Sequence, residues 1–311
     1  MELIALIGAS GSLGKAIAAP LSTQDTPYRV IGRSALSLQT TFGSDPQATI
    51  VTWNPDEPNS IRKALDGIDT AIYMVGVNYW QFELHPQLMR KTLDGAIAAG
   101  VKKLLLIGTV YPFGKPQAER VREDHPRQPH TFKGRMRKEQ EDIVLAAHET
   151  GKIQTAILRL PDFYGPGVDK SFLWSAFQAA KTGKRAQLIG PIDTSHEFVY
   201  IPDAGLTVAR LISEPRAWGN AWNLAAAGVT STRAMVEEIF VQVGRKPKYV
   251  VAGKTALRLF GLFNPLMREL VEMHYLQTSP VILDDTRLKN LLGDLPKTPY
   301  KEGIRQTLAS M

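Results

Sequence analysis

The chain has 311 residues, no cysteine and a formal charge of +7. That length fits one large domain or two closely packed ones, and it buries enough surface to fold without a disulfide or metal. The absence of cysteine excludes disulfides, thiol nucleophiles and thiolate metal sites, and a content of 44% hydrophobic and 22% charged residues excludes a long disordered tract or a fibrous repeat.

The apolar start, Met1 to Ile7, lacks a basic flank and runs straight into glycines, so it reads as a buried strand and not a signal peptide. Further apolar runs follow at Tyr28–Ile31, Thr49–Trp53, Thr70–Val75, Lys102–Ile107 and Thr155–Leu160. Such runs, without polar alternation, suit parallel strands covered on both faces. Between them lie helical patterns at Leu13–Leu21, Ser60–Leu65, Phe82–Ala99 and Gly134–His148. Strands alternating with helices at this spacing predict an α/β fold, a doubly wound parallel sheet of Rossmann type. After Tyr164 the rhythm breaks at Gly165-Pro166-Gly167. Helical stretches then follow at Phe172–Lys181, Asp203–Ile212, Ser231–Val243, Lys254–Phe260 and Pro265–Tyr275, with short strands at Phe198–Ile201 and Trp222–Leu224. The expected division is residues 1–164 plus 197–225 as a dinucleotide-binding domain. Residues 165–196 plus 226–311 form a smaller, mostly helical substrate region.

The segment Gly8-Ala9-Ser10-Gly11-Ser12-Leu13-Gly14 joins the first strand to the first helix. Gly8 can take the tight turn, Gly11 lets backbone approach a pyrophosphate, and Gly14 permits close helix–strand packing; Ser10, Ser12 and Leu13 complete the loop. A helix N-terminus there would face phosphates with free N–H groups. The second strand ends Ile31-Gly32-Arg33-Ser34, with no carboxylate to accept from the 2′-hydroxyl of an NAD ribose. Arg33, 19 residues after Gly14, suits pairing with the 2′-phosphate of NADP, and Ser34 adds a hydroxyl donor. NADP(H) is therefore the expected cofactor.

Together these features resemble the short-chain dehydrogenase/reductase superfamily, and within it the extended and atypical branch, the NAD-dependent epimerase/dehydratase family. Arg159-Leu160-Pro161-Asp162-Phe163-Tyr164-Gly165-Pro166-Gly167 is similar to that family's Arg-x-x-x-x-Tyr-Gly-Pro-Gly segment. His196-Glu197-Phe198-Val199-Tyr200-Ile201-Pro202-Asp203 is similar to its Arg-Asp-Phe-Val-x-Val-x-Asp segment. The resemblance implies a Ser/Thr, a Tyr and a Lys at the reacting centre. Thr109, in Gly108-Thr109-Val110-Tyr111-Pro112-Phe113-Gly114, takes the hydroxyl position. The Tyr-x-x-x-Lys pair is replaced, in the matching segment, by Lys133 and Arg137.

Three readings follow from that departure. Lys133 supplies the proton or polarises a carbonyl, with its pKa lowered by desolvation and Arg137, while Arg137 holds the ribose. Alternatively, another hydroxyl serves, Tyr111 first, with Tyr79 and Tyr164 bordering the same cleft. In the third reading the protein binds NADP(H) without catalysis, as a sensor or regulator. By the same resemblance Val75 and Gly76 border the cofactor ribose, and Tyr79, Asp162, Tyr164 and His196 contact substrate. The function expected is an NADP(H)-dependent oxidoreductase or epimerase-like enzyme acting on a carbonyl, alcohol or sugar-like small molecule.

The six histidines form no close ligand pair, so no metal site is expected. The basic residues are scattered, with short clusters at Lys133–Lys138 and Lys181–Arg185, which suits a small anionic ligand better than nucleic acid. No apolar run approaches the roughly 20 residues that span a bilayer, and no membrane partner is expected. A cytoplasmic protein is the expectation. A homodimer through the helices Phe82–Ala99 and Gly134–His148 is what the resemblance suggests, with the oligomeric state left open.

Overall fold

The computed structural model describes residues 2–311; Met1, counted above in the first strand run and the first domain, lies outside them. The N-terminal half runs β1 (Ile4–Ile7), α1 (Ser12–Thr23), β2 (Tyr28–Gly32), α2 (Ala35–Phe42), β3 (Ala48–Thr52), α3 (Pro58–Ala64), β4 (Thr70–Tyr73), α4 (Leu84–Ala98), β5 (Lys103–Thr109), α5 (Phe132–Glu149), β6 (Gln154–Leu160) and β7 (Asp162–Tyr164). The remainder runs α6 (Trp174–Thr182), β8 (Ala186–Ile189), β9 (Ser195–His196), β10 (Phe198–Tyr200), α7 (Ile201–Ile212), β11 (Ala221–Asn223), β12 (Thr230–Ser231), α8 (Thr232–Gln242), β13 (Tyr249–Ala252), α9 (Lys254–Phe260), α10 (Pro265–Met273), α11 (Tyr275–Thr278), α12 (Thr286–Leu292) and α13 (Tyr300–Ala309).

Seven strands form one parallel sheet in the order β3-β2-β1-β4-β5-β6-β11. The chain winds outward from β1 to β3, then crosses back to β4. Strand order therefore reverses between β1 and β4, and ligands of such sheets bind outside the carboxyl ends of the strands there. The uninterrupted apolar runs are explained by cover on both faces. In β1, Ile4 and Leu6 face a core shared with α1, α2 and α7, while Ala5 and Ile7 face one shared with α3, α4 and α5. Within residues 197–225, α7 packs on α1 and β11 extends the sheet beside β6.

A third core gathers α6, α8 and α13 around Phe177, Phe198, Phe240 and Ile304. A fourth, smaller one joins Phe113 and Val121 to Met273, Leu276 and Leu283, which ties the C-terminal segment to the end of the sheet. Three local differences from the sequence reading stand out. β4 ends at Tyr73 and not Val75. The helix expected over Pro265–Tyr275 breaks at His274 into α10 and α11. Leu288 of α12 is buried in the core of the sheet domain, although its segment was expected in the smaller region.

Candidate active site

The glycine loop sits at the switch point. Gly8 has φ +85°, and a Cβ there would lie 2.8 Å from the Val75 Cα, so backbone from β1 and β4 meets at van der Waals limit. A Cβ on Gly14 would lie 2.0 Å from the Ala9 carbonyl oxygen, which only glycine permits. Gly11 is the N-cap of α1 and faces open space. No side chain caps that helix and no acidic residue lies in its first turn, so its N–H groups and positive dipole end point outward unopposed. Ser10 is exposed, and Ser12 and Leu13 are half-buried. This cradle fits a pyrophosphate. Val75 and Gly76 follow the end of β4 beside it.

Arg33 is exposed just past β2 and makes no hydrogen bond or ion pair among the described residues. Ser34 caps α2, its Oγ accepting from the Ser37 N–H at 3.2 Å. Trp53 is buried, as a core residue.

Beyond the loop, the structure brings several expected residues together. Thr109 ends β5, and its Oγ1 accepts from the Tyr111 N–H at 3.4 Å. Tyr111 stands in a short 3-10 turn, with its hydroxyl 2.8 Å from that of Tyr79. Burial pushes the pKa of Tyr111 well above the ordinary tyrosine value and raises that of Tyr79 too. Both hydroxyls therefore hold their protons at neutral pH. Asp162 and His196 form a second pair, with Oδ2 2.8 Å from Nε2. They line a cavity of about 10 Å³, closed by Leu276 and Val281 and large enough for about one water.

Lys133 and Arg137 occupy the first turns of α5, one above the other as their spacing requires. Lys133 is 1% exposed, and its ammonium reaches the carboxylates of Glu269 and Glu272, the latter at 2.8 Å. It also lies 5.8 Å from the Tyr79 ring centre and 5.7 Å from that of Phe82. The Glu272 carboxylate also accepts from the Phe132 and Lys133 backbone N–H groups, and Thr131 Oγ1 accepts from Gly134 N–H at 3.0 Å. The N-terminus of α5 is thus capped twice. Arg137 donates to His85 Nδ1 at 3.1 Å and to the Ile107 carbonyl at 3.2 Å. Burial and the Arg137 charge push the His85 pKa down to about 2, so its imidazole is neutral and free to accept.

Tyr164, expected as a substrate contact, is fully enclosed between Tyr200 and Tyr300, with its hydroxyl against Gly303. The close passage of α13 puts it in the core and away from any open surface. Glu269, Glu272 and His85 were not singled out as partners. A signal existed for the first two: Glu269 and Glu272 are spaced i,i+3 and interleave with the buried Leu270 and Met273, so the acids lie on the inward side of α10. Nothing comparable marks His85, whose partner is distant in sequence. An open groove of about 700 Å³ runs beside this region and is lined by Lys115, His130, Arg135, Lys254, Arg258 and Glu272, among others. Among the described residues no cluster of three or more His, Asp or Glu side chains is arranged to hold a metal.

Comparison with known proteins agrees with this architecture. The chain resembles 3beta-hydroxysteroid-dehydrogenase/decarboxylase isoform 2 of Arabidopsis thaliana, 22% identical over 293 residues. That match covers 82% of this chain and 50% of the plant protein, so the chain spans about half the length of this relative. It is 25% identical over 259 residues to dTDP-6-deoxy-L-talose 4-dehydrogenase (NAD(P)(+)) of Kitasatospora kifunensis, covering 78% of this chain and 79% of that one. Many solved structures share the fold, among them the following two. The dTDP-glucose 4,6-dehydratase of Bacillus anthracis in complex with NAD superposes with a TM-score of 0.81 at 14% identity, over 100% of this chain and 96% of the other. The UDP-glucuronic acid 4-epimerase of Bacillus cereus in complex with NAD gives 0.80 at 16%, over 99% and 98%. The model of the NAD dependent epimerase/dehydratase family matches residues 4–225, the whole sheet through β11. The chain belongs to the NAD dependent epimerase/dehydratase family.

Proposed function

We propose that the protein holds NADP(H) on its glycine loop and is an oxidoreductase acting on a carbonyl or alcohol carbon of a small, sugar-like molecule. The observation that carries the reading is the loop: Gly8 against Val75, Gly14 against the Ala9 carbonyl, and an uncapped α1 between them. Arg33 supports the choice of NADP(H), because an exposed guanidinium with no partner among the described residues follows β2, a position from which an arginine can pair with a 2′-phosphate. The talose dehydrogenase and the two sugar-nucleotide enzymes support a sugar-like substrate. The bound dinucleotide would supply or accept the hydride.

The chain's own residues would handle the proton. Tyr111 holds its hydroxyl proton at neutral pH, and Tyr79 hydrogen-bonds to it. That pair suits donation to a carbonyl oxygen as it becomes an alcohol, with Thr109 beside it to orient the oxygen. Lys133 has carboxylates on two sides, which favours Tyr111 over Lys133 as donor. We therefore assign Lys133 to holding α10 over the site and Arg137 to fixing α5 against β5 through Ile107. Asp162 and His196 border the substrate space as polar contacts.

A second reading keeps the cofactor without chemistry. It is favoured by one observation: Lys133 and Arg137 are both engaged by internal partners. Turnover separates the two. Consumption of NADPH is followed with a panel of ketone, aldehyde and keto-sugar substrates. Tyr111→Phe is expected to slow it about a hundredfold or more while NADPH affinity is retained. Tight NADPH binding without turnover of any substrate would favour the regulator, and undiminished turnover in Tyr111→Phe would remove Tyr111 as the donor.

A further inference from the structure

The hairpin of α9 and α10 exposes an apolar surface that the fold does not use. Within eight residues, Leu259 is 61% exposed, Phe260 57%, Leu262 75%, Phe263 91% and Leu266 39%. Val250 and Val251 of neighbouring β13 add to it at 46% and 45%. Single exposed apolar side chains are ordinary on a protein surface, but so many together, aromatic rings included, mark a surface that something covers.

Charge says what covers it. From Arg245 to Arg268 the chain carries six basic residues, Arg245, Lys246, Lys248, Lys254, Arg258 and Arg268, and no acidic one. The first acids that follow, Glu269 and Glu272, turn inward to Lys133. Large apolar side chains at a helical tip, flanked by cations of which Arg268 alone among the described residues pairs with an acid, Glu269 at 3.6 Å, match the interface of an anionic bilayer: rings and leucines enter the acyl boundary while the cations meet headgroups. A second copy of this chain fits less well, since a symmetric contact would set the same cations against each other.

We propose that the α9–α10 hairpin docks on anionic membrane surfaces, inserting Phe260, Leu262 and Phe263. This is contact with one leaflet, and among the described residues no helix is long and apolar enough to cross a membrane. This apolar tip is far shorter than a bilayer-spanning run, so hydropathy along the sequence predicts no membrane partner. Lys254 and Arg258 also line the open groove beside α5, so the groove would open next to the bound lipid. The inference stands apart from the cofactor reading, since none of these residues belongs to the glycine loop.

Flotation of the full chain with vesicles tests it. Vesicles of phosphatidylcholine with phosphatidylserine are compared with phosphatidylcholine alone, at low and high salt. The unaltered protein is expected to float with the anionic vesicles, and Phe260→Ser/Phe263→Ser to reduce its partition about a hundredfold. Arg258→Gln/Arg268→Gln is expected to reduce it about tenfold at low salt. Leu36→Ser removes an apolar side chain 78% exposed on α2 and is expected to float like the unaltered chain. These residues are already exposed, so thermal unfolding is expected to be unchanged and reports on folding. Failure of the unaltered protein to float would overturn the proposal, as would equal flotation of the phenylalanine variant. A dimer in light scattering that the phenylalanine variant dissociates, with no flotation, would give the surface to a second copy.

Discussion

Glu197 is a buried carboxylate beside the candidate site, and its burial couples folding to pH. It is 2% exposed, between the His196 pair and β10, and one carboxylate oxygen accepts from the Leu283 N–H at 2.9 Å. Burial pushes its pKa up to about 7, against the opposing pull of Lys297 and Arg120. The sign follows from linkage. Between the ordinary carboxylate value and about 7, the folded chain binds a proton that the unfolded chain releases. Stability therefore falls as pH rises through that window and levels off above it. The full effect is about 3 kcal/mol. Glu197→Gln keeps the acceptor for Leu283 and removes the titration. Urea denaturation across pH 5 to 8 is expected to show the variant more stable at the alkaline end, with the difference vanishing at the acid end. An unchanged slope would mean that Glu197 ionises without cost. Glu197 lies within a matched segment, yet its pKa depends on depth of burial, which motif spacing does not encode.

At the scale of elements, α5 is the piece that organises the candidate site. Arg159 of β6 is buried and holds Glu141 of α5 through two hydrogen bonds, 2.9 Å from Nε and 2.8 Å from Nη2. Arg127 adds a third at 3.1 Å, and Phe113 lies under the Arg159 guanidinium at 4.7 Å. Arg159→Met would leave Glu141 buried with Arg127 alone, at a cost of about 2–4 kcal/mol in denaturant unfolding. A cost below about 0.5 kcal/mol would mean that Arg127 suffices. The resemblance flagged Arg159 within its own segment; that it clasps Glu141 of α5 is a tertiary fact. The same limit applies to Lys133. Its burial is set by α10, more than 130 residues away, whose acids are evident only as an inward-facing pair once the helix is known. Local periodicity recovered the strands and longer helices of the sheet. It missed α2 and α12, which at eight and seven residues give barely two turns of periodicity, and also α13 and β13, the last a short apolar run that pairs with β8 alone.

Across the whole molecule, a parallel sheet with a reversal between β1 and β4 sets the cleft, and the glycine loop stands in it. That much was legible because glycine spacing and continuous apolar runs each have a local steric cause. What the C-terminal segment does over the cleft was not legible, because contacts between α10, α11 and the end of β5 are made across the fold. On the proposed reading the loop binds a dinucleotide and Arg33 selects the phosphorylated one. Titration of the protein with NADPH and with NADH, followed by nicotinamide fluorescence, separates these outcomes. NADPH is expected to bind more tightly, and Arg33→Ala to weaken NADPH by about tenfold or more while leaving NADH unchanged. Equal binding of both dinucleotides with an indifferent Arg33→Ala would contradict the selection, and no binding of either would contradict the account of the loop itself.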